Sequence, residues 1–220
     1  MCSENPLIPL KKRQMNKNGI CYIVAASTMK NNHPVPAEND YVIAADGGYK
    51  NCRKFGITPD IIIGDFDSAE KPDFDNVEVF PVMKDDTDTL LAIKHGLDKG
   101  YKIFYVYGGL GGDRIEHTVA NIQALGYIAE NGGTGFLIGD KENFAVIKNS
   151  HLSFDRKAKG YFSVFAFGGA AEGVCIKGAE YLLENAELLP NYPVGVSNRF
   201  VGEDVCVSVK NGCLLIEWNN

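Results

Sequence analysis

Strand-like and helix-like runs alternate through the first two thirds of the chain, and this alternation constrains the fold more than any single motif. "GICYIVAAS" from Gly19 and "YVIAADGG" from Tyr41 read as strands, and "GGYKNCRKFG" as a short helix closed by Gly56. "DIIIGDFDS" is a third strand whose run Ile61, Ile62, Ile63 is apolar on both faces, and "VEVFPV" is a weaker fourth. "DDTDTLLAIKHGLDKG" spaces Leu90, Leu91, Ala92, Ile93 and Leu97 at near-helical intervals behind an acidic start. "KIFYVYGG" reads as a strand, "DRIEHTVANIQALGYIAENG" as a helix of about five turns, and "GFLIGDKE" closes the series.

From about Asn143 the texture changes to short β runs with turn residues between them: "NFAVIKNS", "GYFSVFAFGG", "GVCIKG" and "DVCVSVKNGCLLIEW". Asn211-Gly212 is the strongest hairpin signal in the chain. The expected fold is therefore α/β: an N-terminal, mostly parallel, Rossmann-like α/β/α domain followed by a C-terminal all-β sandwich. The expected boundaries are a flexible extension over 1–18, the α/β domain over 19–142 and the β domain over 143–220.

Composition narrows the partners. The 220 residues are 45% hydrophobic and 23% charged, ordinary for a globular protein, and the chain is long enough to bury a sizeable core. A net charge of −6 argues against nucleic acid as the main partner, because phosphate backbones select clustered Lys and Arg. No apolar run reaches the length of a membrane span, and "MCSENPLIPLKKRQ" lacks a secretory pattern. The six cysteines, Cys2, Cys21, Cys52, Cys175, Cys206 and Cys213, form no CxxC pair. They are expected to be free, mostly buried thiols in a reducing cytoplasm.

Three clusters could carry chemistry, and all lie at carboxyl ends of expected strands, where ligands of α/β sheets collect. In "GDFDS", Asp65 and Asp67 share one face of an extended backbone. They read equally as ligands of a hard divalent cation or as turn residues bonding nearby N–H groups. In "KDDTDT", Asp86 or Thr87 is the expected helix N-cap and Asp88 lies in the first turn. Three carboxylates in four residues exceed what capping needs, so Asp88 is assigned towards a shared metal. In "GGLGGDRIEHT", glycines between strand and helix let main-chain N–H groups approach phosphate oxygens. Arg114 adds a guanidinium that could offset phosphoryl charge, or could pair on the surface with Glu116 or Asp113. His117, taken alone, reads as a hydrogen-bonded helix residue.

The ordered set "ADGG", "GDFDS", "DDTDT", "GGLGGDRIEHTVAN", "LENAEL" and "GVSNRF" resembles the thiamine pyrophosphokinase (thiamin diphosphokinase) family, from Gly19 to the C-terminus. The resemblance implies an ATP-dependent enzyme that converts thiamine to thiamine diphosphate and releases AMP. It also implies a homodimer with active sites where one subunit's α/β domain meets the other's β domain. Carried over by motif, Asp65, Asp67 and Asp88 would hold Mg²⁺ and, with Arg114, carry the catalysis. Asp46, Gly47, Gly48, Ser68, Thr87, Gly108, Gly109, Gly111, Gly112, Arg114 and His117 would line ATP. Ser197, Asn198 and Trp218 would lie at thiamine.

Two positions depart from the family pattern. Glu116 stands where Asp is usual, and Ile216 stands where a Trp can stack on thiamine, with Trp218 two residues on and on the same strand face. A haloacid-dehalogenase-like phosphatase is the enzymatic rival, since Asp-x-Asp after an apolar strand also describes its nucleophile and acid. It would require neither the glycine loop with Arg114 nor the all-β tail. A non-enzymatic nucleotide-binding protein is the other alternative, and the number of acidic residues at strand ends argues against it.

Overall fold

The structure is a computed structural model in which residues 19–64, 74, 77–79, 86–112 and 114–219 are described. The expected extension over 1–18 lies outside the described residues, as do Asp65, Asp67 and Ser68. The chain divides into two compact units, one comprising Asn16–Asp140 and the other containing Lys141–Asn220.

The first unit alternates strands and helices: β1 (Cys21–Val24), β2 (Tyr41–Ala45), α1 (Gly48–Lys54), β3 (Ile61–Gly64), β4 (Val77–Val79), α2 (Asp88–Asp98), β5 (Ile103–Tyr107), α3 (Ile115–Glu130) and β6 (Thr134–Ile138). Every strand pairing in it is parallel, in the spatial order β4-β3-β2-β1-β5-β6. All four residues of β1 and of β3 are buried, as covered parallel strands require. Cys21, Ile23, Ile43, Ile63 and Phe104 sit at the centre of this core, each 0% exposed.

Local chemistry sets the helix bounds. Thr87 caps α2, its Oγ1 accepting from the Leu90 N–H at 3.2 Å, and Asp88 occupies the first turn, where its charge suits the helix dipole. Asp86, the other expected cap, instead pairs with Lys94. The α2 helix lies close on the sheet because Gly96 has no side chain: a Cβ there would stand 2.6 Å from Phe104 Cε1 and 2.8 Å from Cys21 Sγ. Buried Asn121, Ala124, Leu125 and Ile128 define the inner face of α3 at helical spacing. Beyond α1, Gly56 takes the left-handed conformation expected of a helix-terminating glycine, at φ +66°. No helix among the described residues is long and apolar enough to cross a membrane.

The second unit is all β among its described residues, in two four-stranded antiparallel sheets. Its strands are β7 (Glu142–Lys148), β8 (His151–Phe154), β9 (Tyr161–Ala166), β10 (Ala171–Lys177), β11 (Leu183–Leu188), β12 (Asn198–Arg199), β13 (Val205–Ser208) and β14 (Cys213–Asn219). One sheet runs β12-β9-β14-β7 and the other β11-β10-β13-β8. They meet through an aromatic cluster in which Phe154 of β8 contacts Phe162 of β9, Phe200 and Trp218 of β14.

Two expectations are corrected here. Asn211-Gly212 does not close a hairpin, because β13 and β14 belong to different sheets. Gly212 does adopt positive φ, at +101°, but its N–H donates to Asn149 Oδ1 and the turn carries the chain from one sheet to the other. Turn chemistry specified the bend, and burial of the flanking strands chose their partners. Cys21, Cys52, Cys175 and Cys213 are free, whereas Cys206 is disulfide-bonded, so free thiols hold for those four and not for Cys206. Spacing along the chain carries no information on which segments pass beside Cys206.

Candidate functional site

The strand order changes direction at β1. From it β2, β3 and β4 extend to one side, and β5 and β6 to the other. Loops leaving neighbouring strands at such a point turn apart and leave a crevice at the carboxyl ends. A cavity of about 480 Å³ lies there, and Ala25, Ala26, Ser27 and Thr28 after β1 face it along with Gly108, Gly111 and Gly112 after β5. Ala45 at the end of β2 and Asp46 after it, Thr87, Asp88 and Thr89 at the start of α2, and Arg114, His117 and Asn121 of the α3 end line the rest of it among the described residues. The volume falls within the roughly 300–1,000 Å³ usual for small-molecule sites.

Hydrogen bonds between the strand ends hold both rims. Ala25 N–H donates to Tyr107 O at 2.7 Å and Ser27 N–H to Gly108 O at 2.9 Å. The buried Asn51 of α1 donates from Nδ2 to Ala25 O and Ser27 O, and the buried Asn121 of α3 donates to Gly109 O at 2.8 Å. Gly108 requires its glycine: φ is +65°, and a Cβ would stand 2.4 Å from Ala25 O. Gly111 N–H donates to Thr118 Oγ1, which ties the glycine loop to the first turn of α3.

Among the described residues, eight of those singled out from sequence meet at this cavity: Asp46, Thr87, Asp88, Gly108, Gly111, Gly112, Arg114 and His117. Asp46 holds the left-handed conformation at φ +46°, with its N–H bonded to Ile63 O. Arg114 lines the cavity and also donates from Nε to Glu116 Oε1 at 2.7 Å, with 70% of its side chain exposed. That hydrogen bond is the main cause holding the Glu116 carboxyl below its ordinary pKa, and the residue's own N–H adds to it.

Other singled-out glycines act behind the wall. Gly47 is the N-cap residue of α1, and Gly48 is buried where a Cβ would stand 1.8 Å from Val24 O. Gly109 is buried against Leu137 and Asn121. In the second unit, Ser197 is exposed at φ +60°, with its N–H donating to Ser163 Oγ. Asn198 is buried, donating to Tyr181 O and accepting from the N–H groups of Tyr181 and Arg199. Trp218 is 4% exposed, in the aromatic cluster.

Sequence reasoning missed the Ala25–Thr28 rim, Thr89, Asn51 and Asn121. The signal for the rim was the run of small and hydroxylated residues, "AAST", directly after an apolar strand. The asparagines carry no signal of their own, since only the fold brings them under the loops. No group of three or more His, Cys, Asp or Glu side chains that could hold a metal occurs among the described residues. The carboxylates of Asp46 and Asp88 on the cavity wall are hard oxygen donors, the kind Mg²⁺ selects.

Comparison with known proteins bears on the same regions. Residues 34–134 match the family model described as thiamin pyrophosphokinase, catalytic domain, and residues 149–214 match thiamin pyrophosphokinase, vitamin B1 binding domain. A thiamine pyrophosphokinase from Bacillus subtilis (strain 168) is 26% identical over 188 residues, covering 81% of this chain and 87% of that protein. The crystal structure of thiamine pyrophosphokinase from Bacillus subtilis superposes with a TM-score of 0.82 at 23% identity, covering 91% of this chain and 99% of that one. Yeast thiamin pyrophosphokinase gives a TM-score of 0.67 at 16% identity, over 93% and 87%.

Proposed function

The chain belongs to the thiamin pyrophosphokinase family, and from that premise we propose that its cavity binds ATP and transfers the terminal diphosphoryl group to thiamine. The protein is an enzyme that makes thiamine diphosphate. The observation that carries the reading of the site is the convergence of Asp46, Asp88, Arg114, His117 and the glycine loop on one crevice at the sheet's switch point. We read the first unit as Rossmann-like, with 19–142 as the catalytic ATP-binding domain and 143–220 as the thiamine-binding domain.

In this reading the thiamine hydroxyl oxygen attacks the β-phosphorus of ATP. An O–P bond forms, the bond from the β-phosphorus to the bridging oxygen breaks, and AMP leaves with that oxygen. One of Asp65, Asp67 and Asp88 accepts the hydroxyl proton. The glycine loop and the first turn of α3 receive phosphate oxygens through main-chain N–H groups, helped by the helix dipole. Arg114, held at the cavity by an exposed and therefore weak pairing with Glu116, turns its guanidinium to the transferring group. Asp65, Asp67 and Asp88 would hold Mg²⁺, which when bound offsets phosphate charge. Gly64, which precedes Asp65, ends β3 beside Asp46: a Cβ on it would stand 2.9 Å from the Asp46 Cα.

Ser197 and Asn198 are assigned to the thiamine side, with Trp218 behind them in the core. Exposed Tyr161, Tyr181, Leu182, Tyr192, Val194 and Val196 supply an apolar surface of the kind a homodimer would bury, and we assign them to subunit pairing. Four free thiols support a cytoplasmic location, and the disulfide at Cys206 points the other way. The phosphatase alternative is not favoured, because both family matches lie elsewhere.

Incubation with Mg²⁺, ATP and thiamine followed by nucleotide separation tests the reading. AMP is the expected product; ADP or free phosphate in its place refutes diphosphoryl transfer. Asp67→Asn is expected to fold and to lose turnover, and a fully active variant would sink the metal assignment.

A further inference from the structure

We propose that the main-chain N–H groups of Ala26 and Thr28 receive the phosphate chain of the nucleotide, and that Asn51 is the residue that positions them. The inference rests on the ATP reading above.

The rim from Ala25 to Thr28 leaves β1 with its polar groups divided into two sets. The N–H groups of Ala25 and Ser27 donate to Tyr107 O and Gly108 O. The carbonyls of the same two residues accept from the single amide of Asn51, at 2.8 and 2.9 Å. Ala26 and Thr28 line the cavity, and their N–H groups donate to no group among the described residues. Two uncommitted N–H groups at the wall of a polar crevice form an anion receptor of the kind that phosphates fill.

Asn51 suits this task in a way few residues could. Its NH₂ carries two donors, enough for two carbonyls at once. An Asp of the same shape would set a carboxylate against two carbonyl oxygens, with nothing to donate. Asn51 is 9% exposed and does not line the cavity, so it acts on the nucleotide only through the rim. The rim is also tethered further on, where Lys54 Nζ donates to Met29 O and Asp140 accepts from the N–H groups of Lys30, Asn31 and Asn32. With both flanks held and the N–H groups of Ala25 and Ser27 still bonded, loss of Asn51 releases the two carbonyls of the 25–28 stretch alone.

The test compares ligands that differ in phosphate number. Asn51→Ala and Asn51→Asp are expected to weaken binding of a non-hydrolysable ATP analogue by about tenfold, the scale of one lost charge-assisted contact. AMP affinity and the KM for thiamine are expected to stay put, and kcat to change less than the KM for ATP. Equal weakening of ATP analogue and AMP overturns the proposal, because it signals a generally damaged site. In the wild-type protein, the amide protons of Ala26 and Thr28 are expected to move downfield with the ATP analogue and not with AMP. Silence of both amides overturns the proposal even where neither variant folds. A wild-type protein that yields no AMP from ATP and thiamine removes the ATP reading itself. A wild type that turns over, beside a variant with undiminished ATP affinity, removes only the role of Asn51.

Discussion

The indole of Trp218 meets Phe154 edge-on, with ring centroids 5.4 Å apart and planes at 67°. This contact bridges the two sheets of the β unit and leaves Trp218 only 4% exposed. Trp218→Ala should cost about 3–5 kcal/mol in stability, and Trp218→Phe distinctly less. If the side chain serves packing, the KM for thiamine of Trp218→Phe should stay within about twofold of wild type. A rise to tenfold or more in an undestabilised Phe variant would instead give the ring a ligand.

Gly48 begins α1 with its Cα against the Val24 carbonyl, where a Cβ would stand 1.8 Å from the oxygen. The neighbour is backbone in a central strand and has little room to shift. Gly48→Ala should therefore lower stability by at least the roughly 1–3 kcal/mol usual for overpacking. Urea unfolding monitored by circular dichroism reads this directly, and an unchanged midpoint would contradict the contact.

Much of the α/β unit was legible because its strands are long apolar runs bounded by Gly and Asp, as at Ile61–Gly64, and its helices carry clear caps such as Thr87. Which strands become neighbours was not legible. The pairing of β1 with β5 depends on chain crossovers, and no local pattern around Cys21 or Phe104 encodes it. The glycine loop, Asp46 and Asp88 stood out by residue type, whereas Asn51 and Asn121 look like any polar residue in a helix. Asn211-Gly212 misled because a turn dipeptide specifies left-handed backbone and says nothing about strand pairing.

Asp140 gathers the main-chain N–H groups of Lys30, Asn31 and Asn32, and its pKa is lowered chiefly by the Asn31 N–H, with Asn32 and Lys30 adding. A carboxyl with a lowered native pKa contributes fully above its unfolded pKa. That contribution disappears as pH falls through the lowered native value. Asp140→Asn should thus be less stable than wild type at neutral pH, and the gap should narrow on acidification. Paired denaturant midpoints along an acid series check this, and a gap that widens in acid would contradict it.

Cys21 and Cys52 are both buried to within 1% of full burial, and desolvation is the main cause raising their thiol pKa values, that of Cys52 to about 12. Neither should be alkylated in the native protein at mildly alkaline pH, while partly exposed Cys175 should react. Peptide mass mapping before and after denaturation distinguishes the three sites.

Arg114 and Glu116 are both largely exposed, so their pairing should contribute little to stability. Glu116→Gln should unfold at the wild-type temperature. Arg114→Ala should also fold normally but lose roughly 10²–10³-fold in kcat, the usual effect of deleting one charge-stabilising donor. A fully active Arg114→Ala variant would move Arg114 from catalysis to the surface.

Ser27 and Gly111, whose side chain and carbonyl approach at 3.4 Å across the cavity, are 84 positions apart in the chain. A crevice built from such distant segments cannot exist in a chain emerging from the ribosome until β5 has paired with β1. Closing that long loop is a slow, late event in folding. A ligand of the crevice binds only the completed unit, and so cannot rescue a half-made one; it stabilises what has already folded, by mass action. Resistance to proteolysis conferred by ligand should accordingly appear in one step along a series of growing chains, once the α3 end that supplies Arg114, His117 and Asn121 has been made.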